Sequence, residues 1–536
     1  MTLDPRQIDI IRHAAHRGEQ ALTQGDWQQA LREFETVVAL DPRHTAAQLR
    51  LAAIRLQLDH YRAARRHALL AVESASHHPA VVLELARTLT RFNEYERLLD
   101  LIGRSGFAES ADGRMLAEMA QIVSSGPGDQ SLALDLVDRS LRLEPQVPRS
   151  RYLRGVIEMF LGRPDEAEVE FEASIALQPQ LAQAHWLLSL LRKWKPGEDH
   201  VVRLRALLAQ LPAGSPAAAY AGFALHNELH DLKDFDPAWV ALEDACRIKA
   251  HAEPYDDCRT EALFSRIKAI CNAGFVAPVQ REDAYVPVFI VGMHRSGTTL
   301  LERILGGHSQ VADGGESYAF TAQLRIAADH GIRGALDEAA LDALADADFD
   351  AIGRGFIDAS RWRTHGKPFL TEKLPLNVLN TGFIARALPN ARILHMVRDP
   401  VDTCFSNLRT YFSKAAPYSF DQRNLARYYG RYLDLMEHWR QVMPGRILDV
   451  SYDGLVNDTE ATARQIFDFC GLPFEAAALR VERDSGAVAT ASMAHVRQGI
   501  LGNRGAAWKP YRAHLQPLLD GLAEAGAIPA ERAVQP

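Results

Sequence analysis

The stretch Val288-Phe-Ile-Val-Gly-Met-His-Arg-Ser-Gly-Thr-Thr-Leu-Leu301 decides how this chain folds. It opens with a short apolar, β-branched run, Val288 to Val291, the pattern of a strand buried on both faces. A tight turn carrying Gly292 and Gly297 follows, and Thr298, Thr299, Leu300, Leu301, Arg303, Ile304 and Leu305 begin a helix. Strand, turn and helix together make a cradle for phosphate. The glycines let the backbone approach an anion, and the helix N-terminus turns its unpaired N–H groups toward it.

The spacing Gly292-x-x-x-x-Gly297 matches the start of a Walker A loop, and the match then fails. Thr298 stands where that loop needs Lys, Thr299 keeps the hydroxyl, and the positive charge comes earlier, from Arg295. A kinase or ATPase without the Lys lacks its β/γ-phosphate contact, so Thr298 disfavours a nucleotide kinase. A donor with one phosphate next to the reacting group has no need of it, and 3′-phosphoadenosine 5′-phosphosulfate (PAPS) is such a donor.

On these residues the loop resembles the 5′-phosphosulfate loop of sulfotransferases. The version with Arg-Ser-Gly-Thr-Thr, followed by Gly314-Gly315-Glu316, is similar to tyrosylprotein sulfotransferases and their bacterial relatives that carry tetratricopeptide repeats (TPRs). The resemblance covers roughly Val286 to Leu518. It implies that backbone N–H groups of Ser296, Gly297, Thr298 and Thr299 hold the 5′-phosphosulfate of PAPS, with Arg295 beside the transferring group.

The resemblance also assigns roles further along. Glu316, at the tip of a Gly-Gly turn, matches the general base; a carboxylate within reach of an acceptor hydroxyl can take its proton during attack. His294 and His308 are the rival bases. Pro368-Phe-Leu-Thr-Glu-Lys373 reads as a strand ending in a Lys that would meet charge on the departing phosphate. Ile393 to Val397 reads as a core strand, Asp399-Pro400 breaks it, and a helix starts at Val401. Arg398 and Ser406 there resemble the family's 3′-phosphate site, Arg398 offering a planar fork to phosphate oxygens. Arg446-Ile-Leu-Asp-Val-Ser-Tyr452-Asp-Gly-Leu-Val456 reads as a further strand with a Tyr at its end, and Tyr452 matches a nucleotide contact or is a plain edge-of-sheet tyrosine. Ser492, in Thr490-Ala-Ser492, matches a residue near the leaving phosphate. The basic residue usual before the following Trp is missing, because Ala507 precedes Trp508, which leaves Arg497 or Arg504 as the last phosphate contact.

The first 200 residues repeat. Gly25-Asp-Trp-Gln-Gln-Ala30-Leu-Arg-Glu-Phe34 and Gly162-Arg-Pro-Asp-Glu-Ala167-Glu-Val-Glu-Phe171 share a small residue, an aromatic four later and a proline beyond. Ala30 and Ala64 are 34 residues apart, as are Ala133 and Ala167. This is TPR spacing, with about five repeats. Gly18 and Gly155 fall where the first helix of a hairpin needs a small residue against its partner. Phe235-Asp-Pro-Ala238 with Leu242 and Ala245 looks like one more hairpin.

The chain is 536 residues long, 47% hydrophobic and 24% charged, with a net charge of −8. This is ordinary globular composition, and nothing in it points to nucleic acid or an anionic membrane. Cys246, Cys258, Cys271, Cys404 and Cys470 are scattered, without metal-type spacing. The N-terminus carries early charges, and no apolar run approaches the roughly 20 residues of a membrane helix. Both predict a cytoplasmic protein.

The sequence therefore predicts TPR repeats over 1–196, a helical TPR-like connector over 197–280, a sulfotransferase domain over 281–525 and a tail over 526–536. The fold class is a P-loop-like, three-layer α/β domain with a parallel sheet, preceded by an all-α TPR superhelix. The expected activity is PAPS-dependent sulfuryl transfer to a hydroxyl, with Glu316, Arg295 and Lys373 at the reacting centre and no metal. Acceptor classes are tyrosine in a peptide or protein brought by the TPR array, a saccharide or a small metabolite. The alternative is a TPR scaffold whose sulfotransferase-like domain binds nucleotide without turnover. The helical segment from Leu324 to Arg363 is expected to shape or cover the acceptor site.

Overall fold

The computed structural model describes residues 4–74, 77–277, 281–412, 414–481 and 506–534. Ser492, Arg497 and Arg504 lie outside the described residues.

The N-terminal part is built of helix pairs: Pro5–Thr23 with Trp27–Leu40, Thr45–Gln57 with Tyr61–Glu73, Pro79–Arg91 with Tyr95–Ser105, and Gly113–Ser125 with Gln130–Leu143. Pro148–Leu161 pairs likewise with Pro164–Leu177. Each hairpin turns through one left-handed residue, and these recur with the repeat: Gly25, Asp59, Asn93, Gly128 and Gly162. Asp and Asn serve there because they tolerate that conformation better than other side chains. The small residue of the second helix is fully enclosed at Ala30, Ala64, Ala133 and Ala167, and Leu98 takes that place in the third hairpin. Across the crossing, a Cβ on Gly18 would stand 2.8 Å from the Phe34 ring, and one on Gly155 2.7 Å from Phe171. A glycine in the first helix and an aromatic in the second thus form one contact. A further hairpin, Pro216–Asp231 with Phe235–Ala252, closes on Gly222 against Ala245.

The chain forms two compact units that the sequence segments do not mark. One holds residues 1–145 and 318–348, the other residues 146–317 and 349–536. In a solenoid each repeat touches only its neighbours, so a division can fall between any two hairpins. Within the first unit, Ile326 packs against the cluster of Ala52, Tyr61, Ala64, Ala68 and Phe92. Asp329 accepts the Arg62 N–H at 2.6 Å, and Asp59 accepts the Gly331 N–H at 2.9 Å. The segment read as Leu324 to Arg363 is therefore split: its first part joins the N-terminal helices, and the helix Phe349–Ser360 stays with the sheet.

In the second unit five parallel strands, β1 (Val286–Gly292), β2 (Val311–Ala312), β3 (Phe369–Lys373), β4 (Arg392–Val397) and β5 (Ile447–Ser451), lie in the order β2-β3-β1-β4-β5. Parallel strands buried on both faces read as continuous apolar runs, and β1 is buried from Pro287 to Gly292. On one face Val288, Ile290, Leu394, Met396 and Val450 form a core with the helices Thr298–Leu305 and Thr459–Cys470. On the other, Phe289 meets Phe356 and His395 meets Tyr432, so the helices Phe349–Ser360 and Gln422–Val442 cover that side. The result is a three-layer α/β domain. After β1 the chain lays β3 on one side of it and β4 on the other. The C-terminal edge beside β1 is thus the switch point where open α/β sheets hold their ligands. Among the described residues no helix is long and apolar enough to cross a membrane.

Candidate active site

The cradle at the end of β1 is built on unusual backbone. Gly292 has φ 153°, Arg295 φ 66° and Gly297 φ 107°. A Cβ on Gly297 would stand 2.5 Å from the Tyr452 ring, and one on Gly292 3.0 Å from the Met396 carbonyl oxygen. Both positions are therefore closed to any side chain by space as well as by conformation. The helix Thr298–Leu305 starts directly behind Gly297, which aims its first N–H groups into the loop. Ser296 is buried, and among the described residues its Oγ has no hydrogen-bond partner. A buried hydroxyl without a partner is costly unless something comes to it. Glycine-shaped space, helix N-terminus and orphaned hydroxyl together fit an anion the size of a phosphate.

One side of the cradle is cationic. Arg295 Nε donates to Ser406 Oγ at 3.2 Å, and Arg398 Nη1 donates to the Arg295 carbonyl at 3.3 Å. The register explains the second contact: Gly292 pairs with Met396, so Arg398 emerges from β4 beside the loop that leaves β1. The Arg398 guanidinium lies 4.5 Å from the centre of the Tyr452 ring, and Tyr452 begins where β5 ends. Arg295, Arg398, Ser406 and Tyr452 thus meet around Gly297. Asn407, which the sequence reading missed, ties this side together by donating from Nδ2 to the His294 carbonyl at 2.7 Å.

The other side is formed where β3 ends. Lys373, wholly buried, pairs in register with Ile290 of β1. Its Nζ lies 2.6 Å from Oε1 of Glu316, whose side chain is 39% exposed, and 3.8 Å from Oε2 of Glu302. The turn that presents Glu316 is held from beneath. Gly315 N–H donates to Glu302 Oε1 at 2.9 Å, Gly314 N–H to Thr371 Oγ1 at 2.9 Å, and Lys373 N–H to the Gly315 carbonyl at 3.0 Å. A Cβ on Gly314 would fall 1.8 Å from the Thr371 carbonyl oxygen, so glycine there is a packing requirement, whereas Gly315 has open space around it and is favoured by its φ of 63°. Burial, with Asp313 beside it, holds the Glu302 carboxyl well above the usual carboxylate range. Glu302 is a second residue the sequence reading passed over; in sequence it is one acid in a short helix.

Comparison with known proteins accords with this geometry. Residues 287–476 match the sulfotransferase family, and residues 21–73 match the tetratricopeptide repeat. The C-terminal domain is a sulfotransferase-family domain. An uncharacterised protein of Aquifex aeolicus is 28% identical over 341 residues, 62% of this chain and 45% of that protein. Protein-tyrosine sulfotransferase 2 of Gallus gallus is 27% identical over 221 residues, 39% of this chain and 58% of that protein. The chain thus spans about half the length of these curated relatives. Among solved structures, the sulfotransferase domain from the curacin biosynthetic pathway is 18% identical, covering 42% of this chain and 92% of its own, with a TM-score of 0.31.

Within the sulfotransferase domain the two histidines read as rival bases are otherwise engaged. His308 is enclosed against Phe467, with Nε2 donating to the Pro473 carbonyl at 2.9 Å and Nδ1 accepting the Gln310 N–H at 3.1 Å. His294 lies with Nδ1 3.0 Å from the Tyr418 hydroxyl, and burial pushes its pKa down to about 4. Glu372, one residue before Lys373, is buried and accepts the Ser317 hydroxyl at 2.9 Å; burial pushes its pKa up to about 7.

Proposed function

We propose that this chain transfers a sulfuryl group from PAPS to an acceptor hydroxyl. The observation that carries the reading is the ion pair of Lys373 and Glu316 at the end of β3, in register with the strand that ends in the cradle. That pair sets a proton acceptor and a fixed cation beside one anion site. The donor supplies an activated sulfuryl group. Ser296, with its unpartnered hydroxyl, and the N–H groups from Ser296 to Thr299 hold the 5′-phosphosulfate. Arg398 and Ser406 hold the 3′-phosphate, with Tyr452 against the nucleotide and Arg295 between the two anions. Ser492 would add a contact from outside the described residues.

In the reaction an O–S bond forms to the acceptor oxygen as the S–O bond to the 5′-phosphate breaks. The acceptor proton passes to the Glu316 carboxylate, and Lys373 and Arg295 meet the charge that gathers on the leaving phosphate. Such a scheme draws on side chains and backbone alone. Tyrosine in a peptide or protein is the acceptor class this reading favours. The protein-tyrosine sulfotransferase relative supports it, as do the repeats at 21–73, a module suited to peptide surfaces. A reducing, cytoplasmic setting belongs to the same reading, because all five cysteines are unpaired.

The test is a binding and turnover assay on the purified chain with labelled PAPS and a tyrosine peptide. PAPS should bind, Arg398→Ala should abolish that binding, and label should reach the peptide hydroxyl. Tight binding of ATP in place of PAPS would reject the assignment.

A further inference from the structure

His294 sits inside the cradle loop, and the fold accounts for all of its polar atoms but one. Its carbonyl accepts from Nδ2 of the buried Asn407 at 2.7 Å. Its Nδ1 lies 3.0 Å from the hydroxyl of the buried Tyr418, and its ring rests against Phe412, with centres 5.2 Å apart. Tyr418 is itself held, stacked on Tyr428 with ring centres 3.6 Å apart and planes within 9° of parallel. Nε2 has no hydrogen-bond partner among the described residues. The side chain is half-buried, so that nitrogen is not sealed into a core.

The charges around the ring show what Nε2 can meet. Those that act on the imidazole are Glu316, Lys373 and Arg295, the three residues assigned to the reacting centre. Burial pushes its pKa down to about 4, so at neutral pH the ring is uncharged and carries one N–H and one lone pair. What each nitrogen faces decides which holds the proton. Tyr418 has an O–H to give to Nδ1. A bound donor brings sulfuryl and phosphate oxygens, which can only accept. The complex therefore selects the tautomer with its proton on Nε2.

We infer that His294 is a further catalytic residue: its Nε2–H donates to an oxygen of the sulfuryl group as that group passes from the 5′-phosphate to the acceptor, with Tyr418 fixing the ring. The inference rests on the sulfuryl-transfer reading above. The imidazole neither gains nor loses a proton, and the acceptor proton still goes to Glu316. What the N–H adds is orientation, holding the sulfur in line between the leaving and attacking oxygens.

Two substitutions separate this role from a structural one. Glutamine can put an amide N–H near the place of Nε2 but gives up the Tyr418 contact. Asparagine can keep a polar atom near the place of Nδ1 but does not reach the site. Turnover of the full chain is read as label leaving PAPS, for a tyrosine peptide or for water. Calorimetry reads binding of adenosine 3′,5′-bisphosphate, which has no sulfuryl group. His294→Asn should lower kcat about a hundredfold and His294→Gln by no more than about tenfold. Bisphosphate affinity should stay within about twofold of wild type in both.

Wild-type kcat in His294→Asn overturns the inference. So does a Gln variant as slow as the Asn one, the result expected if the ring serves only its contact with Tyr418. A loss of bisphosphate affinity that matches the loss of kcat also overturns it, since His294 would then hold the shape of the cradle. An unaltered chain that releases no label from PAPS overturns the sulfuryl-transfer reading, and this inference with it.

Discussion

Lys373 is enclosed by protein, and its ammonium is shared between Glu316 at 2.6 Å and Glu302 at 3.8 Å. A buried cation survives only when paired. Glu316, half-open to solvent, is the partner that carries the counter-charge, because the buried Glu302 carboxyl is held well above the usual carboxylate range. If sulfuryl transfer is the reaction, the two residues of the Lys373–Glu316 pair fail differently when removed. Glu316→Gln should lower kcat roughly a hundred- to ten-thousandfold while leaving affinity for adenosine 3′,5′-bisphosphate near its original value. Lys373→Met should lower kcat roughly a hundred- to thousandfold, and it should also weaken product binding. Single-turnover kinetics with calorimetry separates the two, and full turnover in Glu316→Gln would remove that residue from the chemistry.

Glu302 supports the turn by accepting from Gly315 and from Thr371, whose hydroxyl lies 3.2 Å from Oε1. Glu302→Ala leaves the Gly315 N–H without its acceptor and the Thr371 hydroxyl with only the Ala312 carbonyl at 3.5 Å, and should cost about 1–3 kcal/mol of stability. Glu302→Gln keeps the accepting oxygen and gives Asp313 a donor, as the protonated acid does, so it should be close to neutral. Denaturant unfolding of the two variants checks this. Equal losses in both would mean that the charge of Glu302, and not its hydrogen bonds, holds the turn.

Glu372 gives a pH signature. Its folded pKa, about 7, lies above the ordinary 4.5 because burial disfavours the charge. Between those values the folded state holds a proton that the unfolded state has lost, so stability falls as pH rises from about 4.5 to 7 and is flat above. Glu372→Gln can accept the Ser317 hydroxyl with no charge to bury. It should match wild type near pH 4 and exceed it by up to about 3 kcal/mol at pH 8. Urea unfolding at the two pH values checks the sign; a variant less stable than wild type at pH 8 would show that Arg363 and Lys373 hold the carboxylate ionised.

Short apolar runs made the strands legible. Val288 to Val291 and Ile393 to Met396 are buried on both faces, as continuous apolar runs in a parallel sheet are. The TPR hairpins were legible for a similar reason, since a small residue recurs 34 residues apart, at Ala30 and Ala64 and again at Ala133 and Ala167. What the sequence withheld are contacts whose partners are remote in the chain. Tyr452 read equally well as a sheet-edge residue, and only the fold sets its ring against Gly297. Glu302 and Asn407 carry no local signal, because each matters through partners that periodicity does not name. Residues 318–348 show the same limit: their amphipathic pattern announces a buried face, and only the packed structure shows Ile326 against Tyr61 and Phe92.

The repeat region offers a test that is independent of any reaction. Gly155 faces the Phe171 ring at a distance where a Cβ would stand 2.7 Å away, and Phe171 is wholly enclosed with Tyr152 6.0 Å from it. Helix propensity alone makes Gly155→Ala stabilising by about 0.5–1 kcal/mol. The clash opposes it, and forcing a methyl into a close-packed crossing costs about 1–3 kcal/mol. The balance should be a net loss, seen as a lowered midpoint in thermal or urea unfolding. Phe171→Leu withdraws the ring and costs stability by itself through the space it leaves. In the double variant the added methyl should fill part of that space. The pair should therefore be more stable than the sum of the two single losses predicts, by about 1 kcal/mol or more. Simple additivity would mean that the helices part to admit the methyl, and that the crossing is looser than the glycine implies.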